Sequence, residues 1–298
     1  MSLTFLPSEE GFLGLPQDLV PTQQKVVIIP FGLEASVSYS GGTAQGPEAM
    51  IAASHEVELF DEELWCEPYS RIGFQTLQAP EIKKSLPEAL SQLASLTAEV
   101  LDRGQFPLIF GGEHSLTAGS IRPFAERYPD LAIVHIDAHA DLRDGYEGEH
   151  YSHAAALRRC LDYPHVELFS LGIRNISAEE IPFFENNRER IHIFWAKDKP
   201  NWDLKRLTNK LRLRPVYITF DLDGFDASLI PATGTPEPGG LLWFEALNIL
   251  KEVAKVAKVV GADINELAPR EGFHACDFMA AKLAYKLASY VFLNHKLE

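Results

Sequence analysis

Residues 131–155 read LAIVHIDAHADLRDGYEGEHYSHAA. The first six form an apolar strand pattern, and directly after them come Asp137, His139 and Asp141. Asp144, Glu147, Glu149, His150 and His153 come next. In an extended chain, residues two apart point to the same side, so Asp137, His139 and Asp141 can converge. Two unit charges about 4 Å apart repel by about 4 kcal/mol at an effective dielectric near 20. Such crowding at the end of a hydrophobic strand needs compensation, and the kind of sheet this strand belongs to decides where compensation can come from.

The run at 131–136 is one of a series. KVVIIP (25–30), FPLIF (106–110), VELFSLG (166–172), RIHIF (190–194), PVYITF (215–220) and AKVVGADI (257–264) are similar, with a weaker strand near SRIGF (70–74). Most are continuous apolar runs, the pattern of strands covered on both faces. Helical patterns lie between them at 46–55, 87–103, 116–128, 152–161, 178–187, 202–211, 243–255 and 275–292. Pro47 after Gly46, and Ser177 with Glu180 three residues on, are helix-start signals. Repeated strand–helix alternation predicts an α/β fold, a mostly parallel sheet with helices on both faces. No linker, internal repeat or low-complexity tract breaks the pattern, so residues 1–298 are expected to form one domain.

Composition narrows the partners. The chain is 46% hydrophobic and 23% charged, ordinary for a soluble globular protein, with a formal net charge of -15. No Lys/Arg-rich run marks nucleic-acid or anionic-membrane binding, and an acidic chain favours metal ions and cationic small molecules. Cys66, Cys160 and Cys276 are widely spaced, which argues against a disulfide scaffold or a cysteine zinc site and fits a reducing compartment. The N-terminus has no basic start before an apolar segment, and no apolar run approaches the roughly 18 residues of a membrane span. A cytoplasmic protein is expected.

In open parallel sheets ligands bind just outside the carboxyl ends of the strands. Those positions here read GGEHS (111–115), DAHAD (137–141), DLDGFD (221–226) and NELAP (265–269). Several strand ends thus deliver acids or histidines to one edge of one sheet. A lone DxD is common on acidic surfaces, and a lone histidine after a strand is usually structural. Clusters at successive strand ends are hard to assemble by accident, and aspartates so placed stay ionised only if cations offset them. Carboxylates with a few imidazoles suit Mn²⁺, with Mg²⁺, Fe²⁺, Co²⁺ or Zn²⁺ chemically possible. A binuclear site, with ions roughly 3.5–4 Å apart activating a bridging water, is the expected arrangement. His135 lies one step deeper in the sheet and reads as a buried, hydrogen-bonded residue. His55, His165, His192, His274 and His295 fall outside the clusters, and His150 reads as a loop residue.

At these residues the sequence resembles the ureohydrolases, the arginase/agmatinase family of binuclear manganese amidinohydrolases. GGEHS, DAHAD, DLDGFDASLIPATGTPEPGG and INELAP occur in the family's order, and the run ending in GTPEPGG is the most specific. The resemblance implies a three-layer α/β/α fold with an eight-stranded parallel sheet, and a trimer or hexamer. It assigns one Mn²⁺ to His114, Asp137, Asp141 and Asp221, and a second to Asp137, His139, Asp221 and Asp223. Glu266 matches the acid that pairs with the substrate guanidinium, and His153 a histidine that shuttles protons at the mouth of the site. Ala154 stands where the family usually has glycine, and Ala227 where proline often comes after Asp226. Neither departure touches a ligand.

The implied reaction is hydrolysis of a guanidino compound by a metal-bridging hydroxide attacking the guanidinium carbon. Asp141 would pass the nucleophile's proton to the leaving nitrogen, with His153 assisting. In arginases the loop after DxHxD holds the α-carboxylate of arginine, and an acid after a GLRD-like strand end holds its α-amino group. Here the loop is LRDGYEGEHYS, and GIRNIS places Ser177 where that acid would fall. Asp144, Glu147 and Glu149 are therefore expected to read a second cation, which fits agmatine, cleaved to putrescine and urea in polyamine metabolism. Arg143 keeps a carboxylate-ended substrate open, such as guanidinobutyrate or formiminoglutamate. Arginine, or a non-catalytic metal-binding scaffold, are the remaining alternatives.

Overall fold

The structure is a computed structural model and describes residues 3–293. The strands are β1 (Val26–Phe31), β2 (Phe74–Thr76), β3 (Phe106–Gly111), β4 (Ala132–Ile136), β5 (Glu167–Ile173), β6 (Ile191–Trp195), β7 (Pro215–Asp221) and β8 (Lys258–Asn265). Every pairing between them is parallel. They form a single eight-stranded sheet in the order β2-β1-β3-β8-β7-β4-β5-β6. Helices α1 (Gly46–Ser54), α2 (Tyr69–Ile72), α3 (Leu86–Asp102), α4 (Thr117–Ser120) and α5 (Arg122–Arg127) belong to the first half. Helices α6 (Ala156–Cys160), α7 (Ile181–Asn186), α8 (Leu204–Leu211), α9 (Trp243–Val256) and α10 (His274–Leu293) complete the order.

Strand parity builds the layers. Ile28, Leu108, Val134, Ile218 and Ala262 pack with the buried faces of α1, α9 and α10. Their neighbours one step along, such as Val27 and Ile109, or Ile133 and Tyr217, pack on the opposite side against α3, or against α5 and α6. Both faces of the central strands are thus buried, which is why those strands read as unbroken apolar runs. Burying each valine, leucine or isoleucine among them contributes about 1.5–3 kcal/mol relative to leaving it exposed.

Two expectations from the sequence change. SRIGF is helical over Tyr69–Ile72, and β2 begins only at Phe74. Gly73, with φ of 67°, turns the chain between them, a conformation glycine adopts without steric penalty. The single helix expected at 116–128 is divided into α4 and α5, with Pro123 in the first turn of the second. Proline lacks the N–H that would continue the preceding helix, and it suits a helix start. No helix of the described residues is long and apolar enough to cross a membrane. His295 lies outside the described residues.

The strand order has a direct consequence for chemistry. β3, β8, β7 and β4 are consecutive neighbours. The four sequence clusters therefore leave the sheet side by side, with Ile136 opposite Phe220 and Asp221 opposite Asn265. Gly224 permits this closeness, because a Cβ there would lie 2.9 Å from the backbone nitrogen of Asp137.

Candidate metal centre

The side chains after these four strands meet at the floor of one cavity, lined by His114, His139, Asp141, Asp221, Asp223 and Glu266 among others. His114 Nδ1 lies 3.1 Å from Asp137 Oδ2, 3.0 Å from Asp141 Oδ2 and 3.4 Å from Asp221 Oδ2. Beside this group, His139 Nδ1 is 3.0 Å from Asp223 Oδ2 and 3.5 Å from Asp137 Oδ1. Asp137 turns one oxygen to each group. Among the described residues, His114, His135, Asp137 and Asp141 form one set able to hold an ion, and Asp137, His139 and Asp223 another.

The backbone helps aim these groups. Asp137 Oδ1 accepts the His139 N–H at 2.5 Å, and Asp221 Oδ1 accepts the Asp223 N–H at 2.9 Å. Asp223 Oδ1 accepts the Ala138 N–H at 3.0 Å, tying the end of β7 to the end of β4. Asp141 and Glu266 both have positive φ, 53° and 68°, a conformation that non-glycine residues seldom adopt outside sites that hold them in it. Glu266 Oε1 accepts the His114 N–H at 2.7 Å, so the acid after β8 is fixed against the histidine after β3.

The electrostatics fit a cation. Burial opposes charge throughout, yet the carboxylates of Asp137, Asp141 and Asp221 raise the His114 pKa well above its usual range. His139 is pushed up to about 12, against its burial, by Asp223 and Asp137. Burial and the neighbouring carboxylates also raise Asp221 and Asp223, whereas Asp137, with His135, His114 and His139 around it, is lowered despite burial. The cluster therefore draws positive charge, which divalent ions would supply while leaving the imidazoles free to ligate. His114 Nδ1 is buried and has no aligned hydrogen-bond partner despite its three carboxylate neighbours. That is the geometry of a lone pair aimed, with the carboxylate oxygens, at a common centre.

His135 is fully buried, with Nε2 2.7 Å from Asp137 Oδ2 and Nδ1 2.9 Å from Ser170 Oγ. Both nitrogens are engaged, and it orients Asp137. His55 and His165 bond backbone carbonyls, and His192 pairs with Glu167, all away from this cavity.

His153 lines the outer part of the cavity. Its Nδ1 is 3.2 Å from Ser36 Oγ and its Nε2 is 2.7 Å from Ser38 Oγ. Ser36 donates its hydroxyl proton to Glu113 Oε1 at 2.7 Å, so at Nδ1 it can only accept. Neutral His153 thus carries its proton on Nδ1 and presents Nε2 as an acceptor. Glu113 is fully buried and also accepts the N–H groups of Ala35 and Ser36 and the hydroxyl of Ser115. The sequence patterns did not single out Ser36, Ser38 or Glu113 as functional residues. Glu113 stood in plain view inside GGEHS, whereas Ser36 carries no local signal.

The loop acids stand apart from the cavity. Asp144, Glu147 and Glu149 are not among the residues lining the cavity. Asp144 Oδ1 is held 2.6 Å from Arg159 Nη2, which keeps its carboxyl below the usual range. Glu149 Oε1 accepts the Tyr151 N–H at 3.0 Å within its own turn. An acid that does line the cavity is Glu180, buried and accepting the N–H groups of Leu142 and Ser177. Its partner Ser177 also lines the cavity, and its buried hydroxyl has no hydrogen-bond partner. Arg143 lines the same wall, stacked 5.0 Å over Tyr146 and paired with Glu179 at 3.1 Å.

Comparison with known proteins agrees with the fold. Residues 24–289 match the model of the arginase family. The chain is 38% identical over 275 residues to N(1)-aminopropylagmatine ureohydrolase of Synechocystis, covering 89% of this chain and 88% of that one. It is 35% identical over 253 residues to an agmatinase of Bacillus anthracis, covering 83% and 84%. Among solved structures, proclavaminate amidino hydrolase of Streptomyces clavuligerus superposes with a TM-score of 0.85 at 26% identity, covering 96% of this chain and 97% of the other. Sheet, strand-end clusters and sequence matches over most of the chain lead to one assignment: the chain belongs to the arginase family.

Proposed function

We propose that this chain hydrolyses the terminal guanidinium of an unbranched cationic amine, agmatine first, to urea and the free amine, using two Mn²⁺ ions. As a member of its family it is a hydrolase acting on C–N bonds, and the family implies a binuclear metal centre. The observation that carries the reading is the convergence of His114, His139, Asp141, Asp221, Asp223 and Glu266 on one cavity, with the buried Asp137 between the two histidines. His114, Asp137, Asp141 and Asp221 would hold one ion, and Asp137, His139, Asp221 and Asp223 the other. A donor set rich in carboxylate oxygen with two imidazoles suits Mn²⁺. When bound, such a pair of ions supplies a water ionised near neutral pH.

The chain's own groups do the rest. Glu266 would take the guanidinium in a charge-assisted pair and orient its carbon over the floor of the cavity. Asp141, at a strained backbone position on that floor, would receive the proton of the attacking water and hand it to the leaving nitrogen. His153, whose Nε2 is 2.7 Å from the Ser38 hydroxyl, would carry protons between the cavity and solvent by way of that hydroxyl. The carboxylate of Glu180 and the free hydroxyl of Ser177 would receive the substrate's far ammonium, in place of the loop acids.

A second substrate has a specific observation behind it. The Synechocystis relative, at 38% identity, is named for N(1)-aminopropylagmatine, which carries a longer polyamine chain. Urea release measured across agmatine, N(1)-aminopropylagmatine, arginine and guanidinobutyrate tests the proposal. The two polyamine guanidines are expected to exceed the two carboxylates by at least about tenfold in kcat/KM, the effect of about 1.4 kcal/mol of differential binding. Arginine as the best substrate would overturn it.

A further inference from the structure

Behind the cavity floor lies a buried carboxylate that the proposed reaction does not use. Asp263, on β8, is fully buried. Its Oδ1 accepts Thr219 Oγ1–H at 2.6 Å and Asn265 Nδ2–H at 2.7 Å. Its Oδ2 accepts Tyr217 O–H at 2.6 Å, Thr117 Oγ1–H at 3.0 Å and Ser120 Oγ–H at 3.3 Å. All of these donors are neutral. Burying a carboxylate without a counter-charge is costly, and here only hydrogen bonds to its lone pairs offset that cost.

The hydrogen-bond directions show what it serves. Thr219 has one hydroxyl proton, and that proton goes to Asp263. Toward His114 Nε2, 2.8 Å away, Thr219 Oγ1 can therefore only accept. His114 must carry a proton on Nε2, and its neutral form then has a bare Nδ1. Nδ1 is the atom that faces Asp137, Asp141 and Asp221. The negative charge of Asp263 reaches the imidazole through one hydroxyl, which fixes the tautomer and the ring plane and makes the ring a stronger donor to a cation. Groups that orient a metal-binding histidine in this way typically change metal affinity by about 10–100-fold.

We propose that Asp263, acting through Thr219, is a positioning residue that holds His114 in its metal-binding tautomer and tightens one of the two ion positions. This rests on the two-ion reading above. The test is a calorimetric titration of metal-free protein with Mn²⁺ for the natural chain, Thr219→Val, Thr219→Ser and Asp263→Asn, with thermal unfolding of each metal-free protein alongside. Thr219→Val keeps the shape and removes the relay. It is expected to weaken one ion about 10–100-fold and leave the other within about threefold, while Thr219→Ser restores both. Asp263→Asn is expected to weaken the same ion; Thr219→Val decides the matter should Asp263→Asn fail to fold.

Undiminished affinity for both ions in Thr219→Val would overturn the proposal. So would equal weakening of both ions together with a lowered metal-free unfolding temperature, because that is the signature of a structural role alone. If the natural chain itself binds no Mn²⁺, the two-ion reading falls instead, and the two failures are told apart by that control.

Discussion

Asp137→Asn is expected to abolish hydrolysis, lowering kcat by roughly 10³-fold or more, beyond the 10²–10³ typical of losing one transition-state hydrogen-bond donor. The reason is position. Asp137 Oδ2 is 3.1 Å from the His114 nitrogen and its Oδ1 is 3.5 Å from that of His139, so one residue serves both halves of the cluster. Asparagine keeps the shape but replaces one oxygen by an NH₂ that cannot ligate. It also removes the negative charge that three imidazoles surround. Metal content and urea formation should fall together, while the metal-free variant keeps its fold, since the substitution leaves the apolar packing of the sheet untouched. A variant that loads two ions and turns over normally would contradict the proposal that Asp137 would help to hold both ions.

Glu266→Gln is expected to lower kcat/KM by about 10²–10³-fold, the scale of leaving a buried charge unpaired. Glutamine can still accept the His114 N–H that Glu266 Oε1 accepts at 2.7 Å, so the loop after β8 should hold its shape. Only the charge is lost. Burial, with Glu113 and Asp223 nearby, pushes the Glu266 carboxyl up to about 8 in spite of the His114 N–H. A carboxylate so disfavoured as an isolated anion is poised to take a cation. The measurement is steady-state urea release with agmatine, metal content being checked in parallel. An unchanged KM and kcat at full metal loading would mean that another group binds the guanidinium.

Much of this was legible in the sequence, for a physical reason. Strands buried on both faces must be apolar along their length, so β1, β3, β4, β5, β7 and β8 announce themselves, and the residues just after each strand lie at the ligand-binding edge. Asp137, His139 and Asp141 do converge, but they come after β4 ends at Ile136 and Asp141 has a left-handed φ of 53°, so the loop and not strand parity brings them together. The parts that were not legible depend on contacts between distant segments. Ser36 meets His153 across 117 positions, and Thr219 joins His114 across 105, with no local pattern to mark either. The placement of the loop acids is illegible for the same reason. Composition shows that Asp144, Glu147 and Glu149 are acidic, but not that Arg159 holds Asp144 or that the cavity wall belongs to Glu180. SRIGF has the apolar content of a strand, yet the left-handed turn at Gly73 delays the strand until Phe74.

A pair of ions held by these strand ends is proposed to enable guanidinium hydrolysis, and every role assigned above depends on it. Stepwise addition of Mn²⁺ to metal-free protein, with urea release from agmatine followed at each step, tests it most directly. Negligible urea is expected without metal, with activity that rises until two ions are bound per chain and then levels off. Full activity in the metal-free protein, or saturation with two ions and no urea from agmatine or its aminopropyl derivative, would contradict it.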